Sequence, residues 1–300
     1  MKAEELFNKI KEELDLKLNF LADKPEENSD STVRACWHTA YGFPKSAEEA
    51  TKLPLPELTE KQIDVLYGLI AKRLNNIPLA YISGRQSFMG IELLADKRSL
   101  IPRKETEILG RKALQISISF AREKKCVNVM DICAGSGNLG LAVAYYNHNT
   151  VVYATDLSHE AVEHARDNVS FLNLTGRVHV EQGDLFSAFD NKNHYENTDI
   201  VICNPPYISS AKVAKMNTEI LAHEPEMAFD GGIFGIKILQ KLIVEAPKYL
   251  ASKGWVVFEV GLGQGKFMVD LCERTNNYSQ IETANDANNS IRVVAAQKKS

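Results

Sequence analysis

The 300-residue sequence has five cysteines (Cys36, Cys126, Cys133, Cys203 and Cys272), scattered and without a single CxxC pair. That spacing excludes a disulfide scaffold or a zinc module, and it points to a reducing compartment. No apolar run approaches the ~18 residues that would read as a bilayer span. The first sixteen residues are acidic and amphipathic, unlike a signal peptide. These absences make a cytoplasmic protein with no membrane partner the expectation. There is no excess of positive charge either: 35 Lys and Arg stand against 39 Asp and Glu, a net charge of −4. The first 90 residues are themselves slightly acidic, so direct binding to a phosphate backbone is not expected. The seven histidines show no ligand spacing, and no metal is expected. Internal repeats and low-complexity tracts are also missing. What remains is ordinary for a folded chain of about two domains, 44% hydrophobic and 25% charged.

Up to about residue 84 the pattern is helical. Leu6, Ile10 and Leu14 recur on one face, with Phe7 and Leu18 widening it, and further helices are expected over about 31–42 and 59–75. Pro44, Pro54 and Pro56 punctuate the chain between these two. Residues 85–107 read as a strand pair or linker. From 108 to 300 strands alternate with helices. Strands are expected at 128–132, 151–156, 179–182, 199–203 and 255–260, and helices at 139–146, 160–172, 236–250 and 266–274. A terminal strand pair is expected at about 280–297. Buried strands alternating with helices predict a doubly wound, Rossmann-like α/β sheet behind a small helical domain.

Chemistry is concentrated at two strand ends. Gly135-Ser136-Gly137-Asn138-Leu139-Gly140 follows a predicted strand and opens a helix, and Asp156 ends the next strand. In that context the glycines let a backbone approach a nucleotide while the acid takes ribose hydroxyls. Asp131 closes the strand just before the turn, where a carboxylate would repel a pyrophosphate but suit the ammonium and sulfonium of S-adenosylmethionine. The competing role for Asp131 is to cap a helix or loop.

The second strand end is Asn204-Pro205-Pro206-Tyr207, directly after Asp199–Cys203. Proline fixes φ, offers no N–H and pushes its predecessor into the extended region, so the segment is stiff and rich in acceptors. A planar –NH2 could give one hydrogen to the Asn204 side-chain oxygen and the other to the Pro205 carbonyl. Methylating an amide or an exocyclic amine needs such a grip, because the nitrogen lone pair is delocalised and must be localised and aimed. Tyr207 offers a ring face to the flat group. Asn204, Pro205 and Tyr207 are the catalytic candidates, and Asn204 through Tyr207 the substrate-binding ones.

The tetrapeptide marks class I methyltransferases that act on planar nitrogens. More of the chain resembles the HemK/PrmC family: Arg73, Pro78 to Ile82, Gly84, Phe88, Leu100 to Arg103, Glu105 to Glu107, Asp131 to Gly137, Gly183-Asp184, Glu224-Pro225, Asp230 to Gly232 with Gly235, Glu259 to Gly261 with Gln264, and Arg292 to Val294. The resemblance covers about 70–297 and implies methylation of the side-chain amide of the glutamine in the Gly-Gly-Gln loop of peptide chain release factors. It implies that Cys133, Ala134, Gly135, Ser136 and Gly137 wrap the methionyl part of S-adenosylmethionine and that Asp156 holds its ribose. Asp184 and Leu185 would flank the adenine, with Asp131 and Asn204 completing the cofactor set. The helical domain would dock the release factor. The sequence departs from the family at Lys104, where proline is usual, at Phe234, where an acid is usual, and at Asn289, where glycine is usual; asparagine tolerates positive φ. The first two departures bear on docking.

Two other activities share the tetrapeptide. An adenine amino-group methyltransferase of DNA or RNA would be expected to add a basic recognition module, which the charge balance disfavours. A glutamine methyltransferase of a ribosomal protein has the same chemistry, but residues 102–107 fit the release-factor branch better. Cys133 and Cys203 read as small hydrophobes, Trp37 and Trp255 as core, and Glu105 and Glu107 as either helix-start acids or site-wall residues. The expected state is a monomer.

Overall fold

The computed structural model describes residues 3–206, 223–229 and 236–300. Tyr207, Phe234 and the segment Asp230 to Gly235, all singled out in the sequence, lie outside the described residues. The chain divides into two compact units. One holds residues 3–97, 101–104 and 223; the other holds 98–100, 105–206, 224–229 and 236–300.

The first unit is helical, with α1 (Ala3–Lys17), α2 (Ser29–Tyr41), α3 (Ala47–Ala50), α4 (Glu60–Leu74) and α5 (Leu79–Ser83). Leu6, Phe7, Ile10 and Leu14 of α1 are buried, as their spacing requires. Two starts are fixed by reciprocal capping, Asn28 with Ser31 on α2 and Thr59 with Gln62 on α4. Trp37 is core, and its indole N–H donates to the Pro56 carbonyl at 2.8 Å. Beneath these helices Arg73 Nη2 meets Glu27 Oε2 at 3.2 Å, with both side chains buried. The hairpin β1 (Arg85–Phe88) and β2 (Ile91–Leu94) belongs to this unit. Its two-residue turn has Met89 and Gly90 both at positive φ, 52° and 79°, matching the twist of the strands. Glu92 ties the hairpin to the helices through Lys45 Nζ at 2.9 Å and the Ser46 amide at 2.8 Å. Arg103 Nε pairs with Asp23 Oδ2 at 3.1 Å, and the unexpected Lys104 pairs with Glu48.

The second unit is the doubly wound sheet: α6 (Glu107–Ala121), β3 (Val127–Ile132), α7 (Asn138–Tyr146), β4 (Thr150–Asp156), α8 (His159–Phe171), β5 (Val178–Gln182), β6 (Thr198–Cys203), β7 (Leu250–Glu259), β8 (Tyr278–Asn285) and β9 (Ile291–Lys298), with further helices Lys237–Tyr249 and Gly265–Arg274. The strand order is β5-β4-β3-β6-β7-β9-β8. β3 to β7 run parallel, and β9 is antiparallel to both its neighbours. The parallel strands are apolar because helices cover them: Met130, Ile132, Val201, Ile202, Val257 and Phe258 are all fully buried. Trp255 is core too, and Asn289 takes φ 61°, which asparagine tolerates. Two elements differ from expectation. α6 is not among the expected elements: Ile116-Ser117-Ile118-Ser119 alternates like a strand, but the buried Leu109, Ala113 and Ile116 fall at i, i+4, i+7. β7 starts at Leu250 rather than near 255, and a register shift against β6 takes up the extra residues. No helix among the described residues is long and apolar enough to cross a membrane.

Candidate active site

β3 lies where the strand order reverses, and ligands of open α/β sheets bind outside the carboxyl ends at that point. Ile132 pairs in register with Thr155 of β4 on one side and Cys203 of β6 on the other. The residues that follow these three, Cys133, Asp156 and Asn204, therefore leave the sheet at one edge.

The turn after β3 is built from left-handed residues. Cys133, Gly135 and Gly137 have φ of 60°, 55° and 79°, and the Ala134 amide donates to the Thr155 carbonyl at 2.9 Å. Ser136 is buried, and its carbonyl accepts from Asn168 Nδ2 at 3.2 Å. Gly140 is needed for space: a Cβ there would sit 2.8 Å from Val152 Cγ1 and 2.9 Å from Asp131 Oδ2. Asp131 Oδ2 accepts the Gly140 amide at 2.8 Å, so this carboxylate caps the first turn of α7, as its competing role proposed. Its Oδ1 is buried with no hydrogen-bond partner among the described residues.

Asp156 faces the turn from β4. Its Oδ2 accepts from the Gly135 amide at 2.8 Å and its Oδ1 from the Ser158 amide at 2.9 Å. Burial raises its pKa and these bonds pull it down. The Leu157 amide bears on it as well, and a carboxylate with about four acceptor positions still keeps capacity for a ligand. Leu185, at φ 51°, is held by its carbonyl, which accepts from Thr155 Oγ1 at 2.7 Å. Asp184 is largely exposed and pairs with Lys241 Nζ at 2.8 Å. Burial pushes the pKa of the Cys203 thiol up, with the Cys133 thiol beside it, which suits Cys203 as a small hydrophobe.

After β6, Asn204 and Pro206 are partly buried and Pro205 is buried. Asn204 Nδ2 donates to Thr106 Oγ1 at 3.3 Å, whereas its Oδ1 is buried with no partner among the described residues. A buried amide oxygen left unsatisfied is rare enough to need an explanation, and a ligand N–H is one. Thr106 is the contact that sequence reasoning missed: Glu105-Thr106-Glu107 was noted, but no local pattern links it to a residue so distant in the chain. Of its neighbours, Glu105 pairs with Arg292 Nη2 at 2.9 Å, and Glu107 begins α6 and pairs with Arg111 at 3.1 Å.

The groups at this edge suit S-adenosylmethionine. Asp156 and Asp184 offer acceptors to a cationic nucleoside, and Asp131 braces the turn beside them, its Oδ1 buried with no partner among the described residues. A pyrophosphate would instead face the acids Asp156 and Asp184.

Asp131 also has a measurable consequence. Burial lifts its pKa from 3.8 to about 7, against the Gly140 hydrogen bond, which lowers it. The folded protein then holds this proton up to about pH 7, whereas the unfolded chain releases it near 3.8. In between the folded state binds more protons, so this group makes stability fall as pH rises. Asp131→Asn keeps an acceptor for Gly140 and removes the titration. Its Tm relative to the parent should climb from pH 4 to pH 7 and then level off, as read by thermal melts in a pH series. A difference that does not change with pH would show that Asp131 titrates normally.

Comparison with known proteins agrees with the geometry. Residues 113–236 match the family model described as the methyltransferase small domain. A release factor glutamine methyltransferase of Thermodesulfovibrio yellowstonii is 32% identical over 81% of this chain and 84% of its own. Another, of Geobacter sulfurreducens, is 30% identical over 96% of each chain, and one of Bacillus cereus is 33% identical over 80% of this chain and 83% of its own. Among solved structures, the human methyltransferase 10 domain containing protein superposes with a TM-score of 0.50 at 15% identity. It covers 69% of this chain and 88% of that one, and it bears on the fold alone.

Proposed function

The chain belongs to the release factor glutamine methyltransferases, and on that premise we propose that it methylates the side-chain amide nitrogen of the glutamine in the Gly-Gly-Gln motif of a peptide chain release factor. The observation that carries this reading is the Asn204 side-chain oxygen, buried and without a partner among the described residues, next to two prolines that have no N–H to give it.

S-adenosylmethionine, when bound, supplies an electrophilic methyl group on a positively charged sulfur. Cys133 to Gly137 would wrap its methionyl part, Asp156 would accept from its ribose, and Asp184 and Leu185 would border its adenine. Asp131 acts on the cofactor mainly through the turn it braces. Asn204 Oδ1 and the Pro205 carbonyl each accept one hydrogen of the substrate –NH2, with Pro206 and Tyr207 bounding the group. Gripped this way, the nitrogen loses conjugation with its carbonyl and its lone pair is directed at the methyl carbon. Transfer would form the nitrogen–carbon bond as the carbon–sulfur bond broke, and the cationic amide would shed a proton to water. No strong base is needed.

The helical residues 1–84 would dock the release factor, 85–107 would link them to the catalytic unit, and 108–300 would carry the chemistry. The working form is taken as a cytoplasmic monomer acting on protein rather than nucleic acid. The five free cysteines and the net charge of −4 support that setting. Labelled S-adenosylmethionine offered with a release factor, its Gly-Gly-Gln Gln→Ala variant and duplex DNA should label the intact release factor alone. Label on DNA, or on none of the three despite donor binding, would refute the assignment.

A further inference from the structure

We propose that Thr106 is a positioning residue for methyl transfer: its hydroxyl oxygen takes a hydrogen from the Asn204 side-chain amide and so keeps Asn204 Oδ1 turned toward the incoming substrate –NH2. The inference rests on the role given to Asn204 above.

An asparagine amide fits its site in two orientations related by a half-turn, one presenting an acceptor and the other a pair of donors. Only the first matches a substrate nitrogen that itself carries two hydrogens. In the second, N–H would face N–H and the grip would fail. Asn204 Nδ2 to Thr106 Oγ1, at 3.3 Å, is the side-chain bond that holds this amide among the described residues, and it is made in the first orientation.

Thr106 is built to hold that bond. It is 3% exposed and stands immediately before α6, where a threonine ordinarily spends its oxygen on a first-turn amide. Here the hydroxyl makes no such cap: the residue is already helical, at φ −65° and ψ −18°, and only its carbonyl enters the ladder, accepting from Gly110 at 3.1 Å. Its hydroxyl oxygen is thereby left for Asn204. The preceding Glu105 is pinned to Arg292 Nη2 at 2.9 Å, and the same guanidinium reaches Glu259 at the end of β7. β7 pairs with β6, Cys203 opposite Phe258, so Thr106 and Asn204 are both anchored to one corner of the sheet.

Thr106→Val removes the hydroxyl and keeps the shape, and Thr106→Ser keeps the hydroxyl. With a release factor as substrate, Thr106→Val should lower kcat by about tenfold, leaving both KM values and donor affinity within about twofold, and Thr106→Ser should stay within about threefold of the parent. A Thr106→Val kcat within twofold of the parent would overturn the proposal. So would an equal loss in both variants, which would assign the effect to the methyl group. A second readout needs no substrate. The Asn204 side-chain NH2 should exchange slowly in nuclear magnetic resonance spectra of the parent and the serine variant, and quickly in the valine variant. Equal exchange in all three would also overturn it. If the parent fails to label a release factor, the functional reading falls, while the amide exchange still decides the role of Thr106.

Discussion

Asn204→Ala should lower methyl transfer more than about a hundredfold while donor affinity stays within about tenfold of the parent. The asymmetry follows from where the lost atoms are. The donor turn is closed without Asn204: Gly135 is held by Asp156, Gly140 by Asp131 and Ala134 by the Thr155 carbonyl. What alanine removes is the buried acceptor Oδ1, whose proposed partner is the reacting nitrogen. An interaction with the group being transformed is felt in kcat, and one with the rest of the ligand is felt in binding. Calorimetric titration with S-adenosylmethionine and single-turnover transfer to a release factor separate the two. Transfer within tenfold of the parent would remove Asn204 from the chemistry.

The second large effect is expected in the helical unit. Arg73 and Glu27 are a buried ion pair in the helical unit, and Arg73 Nη1 also donates to the Ile77 carbonyl at 3.3 Å. Arg73→Met keeps most of the volume but leaves the Glu27 carboxylate buried without that cation, a change that costs about 3–5 kcal/mol in comparable buried pairs. Adding Glu27→Gln should recover a large part of the loss, because the carboxylate that has lost this cation goes with it. Urea unfolding of the parent, the single and the double variant gives the comparison. A single variant within 1 kcal/mol of the parent, on the order of a surface substitution, would mean that the pair contributes little. Function should divide along the same line: the single variant loses release-factor methylation well before it loses donor binding.

Much of the site was legible because its parts are local. Gly135 to Gly140 sits between a strand and a helix, and Asn204-Pro205-Pro206 follows a strand of buried apolar residues. Each is a short run whose backbone demands are written in its own residue types. The topology then brings the two runs together at the ends of adjacent parallel strands. What stayed hidden depends on contacts that no window contains. Thr106 meets Asn204 across 98 positions, and Glu27 meets Arg73 across 46. Asp131 could be recognised as an important carboxylate, but whether it serves the ligand or the helix is decided by the direction of its Oδ2 toward Gly140. The helix Glu107–Ala121 escaped notice because its Ile-Ser alternation carries a strand's period while tertiary burial selects the helical one.

The strand order also sets what it costs to assemble the site. Donor turn and acceptor loop meet only when β6 crosses back to pair with β3, opposite the side taken by β4. Ile132 is then partnered by Cys203, about seventy residues on, whereas its β4 partner Thr155 is about twenty away. Chain closure grows only with the logarithm of loop length, so the longer closure costs about 1 kcal/mol more than the shorter one. Delivering Asn204 from a remote strand is therefore cheap in entropy. Residues 191–193, exposed in the turn between β5 and β6, are accordingly a place where the chain can lengthen with little penalty to either half of this edge.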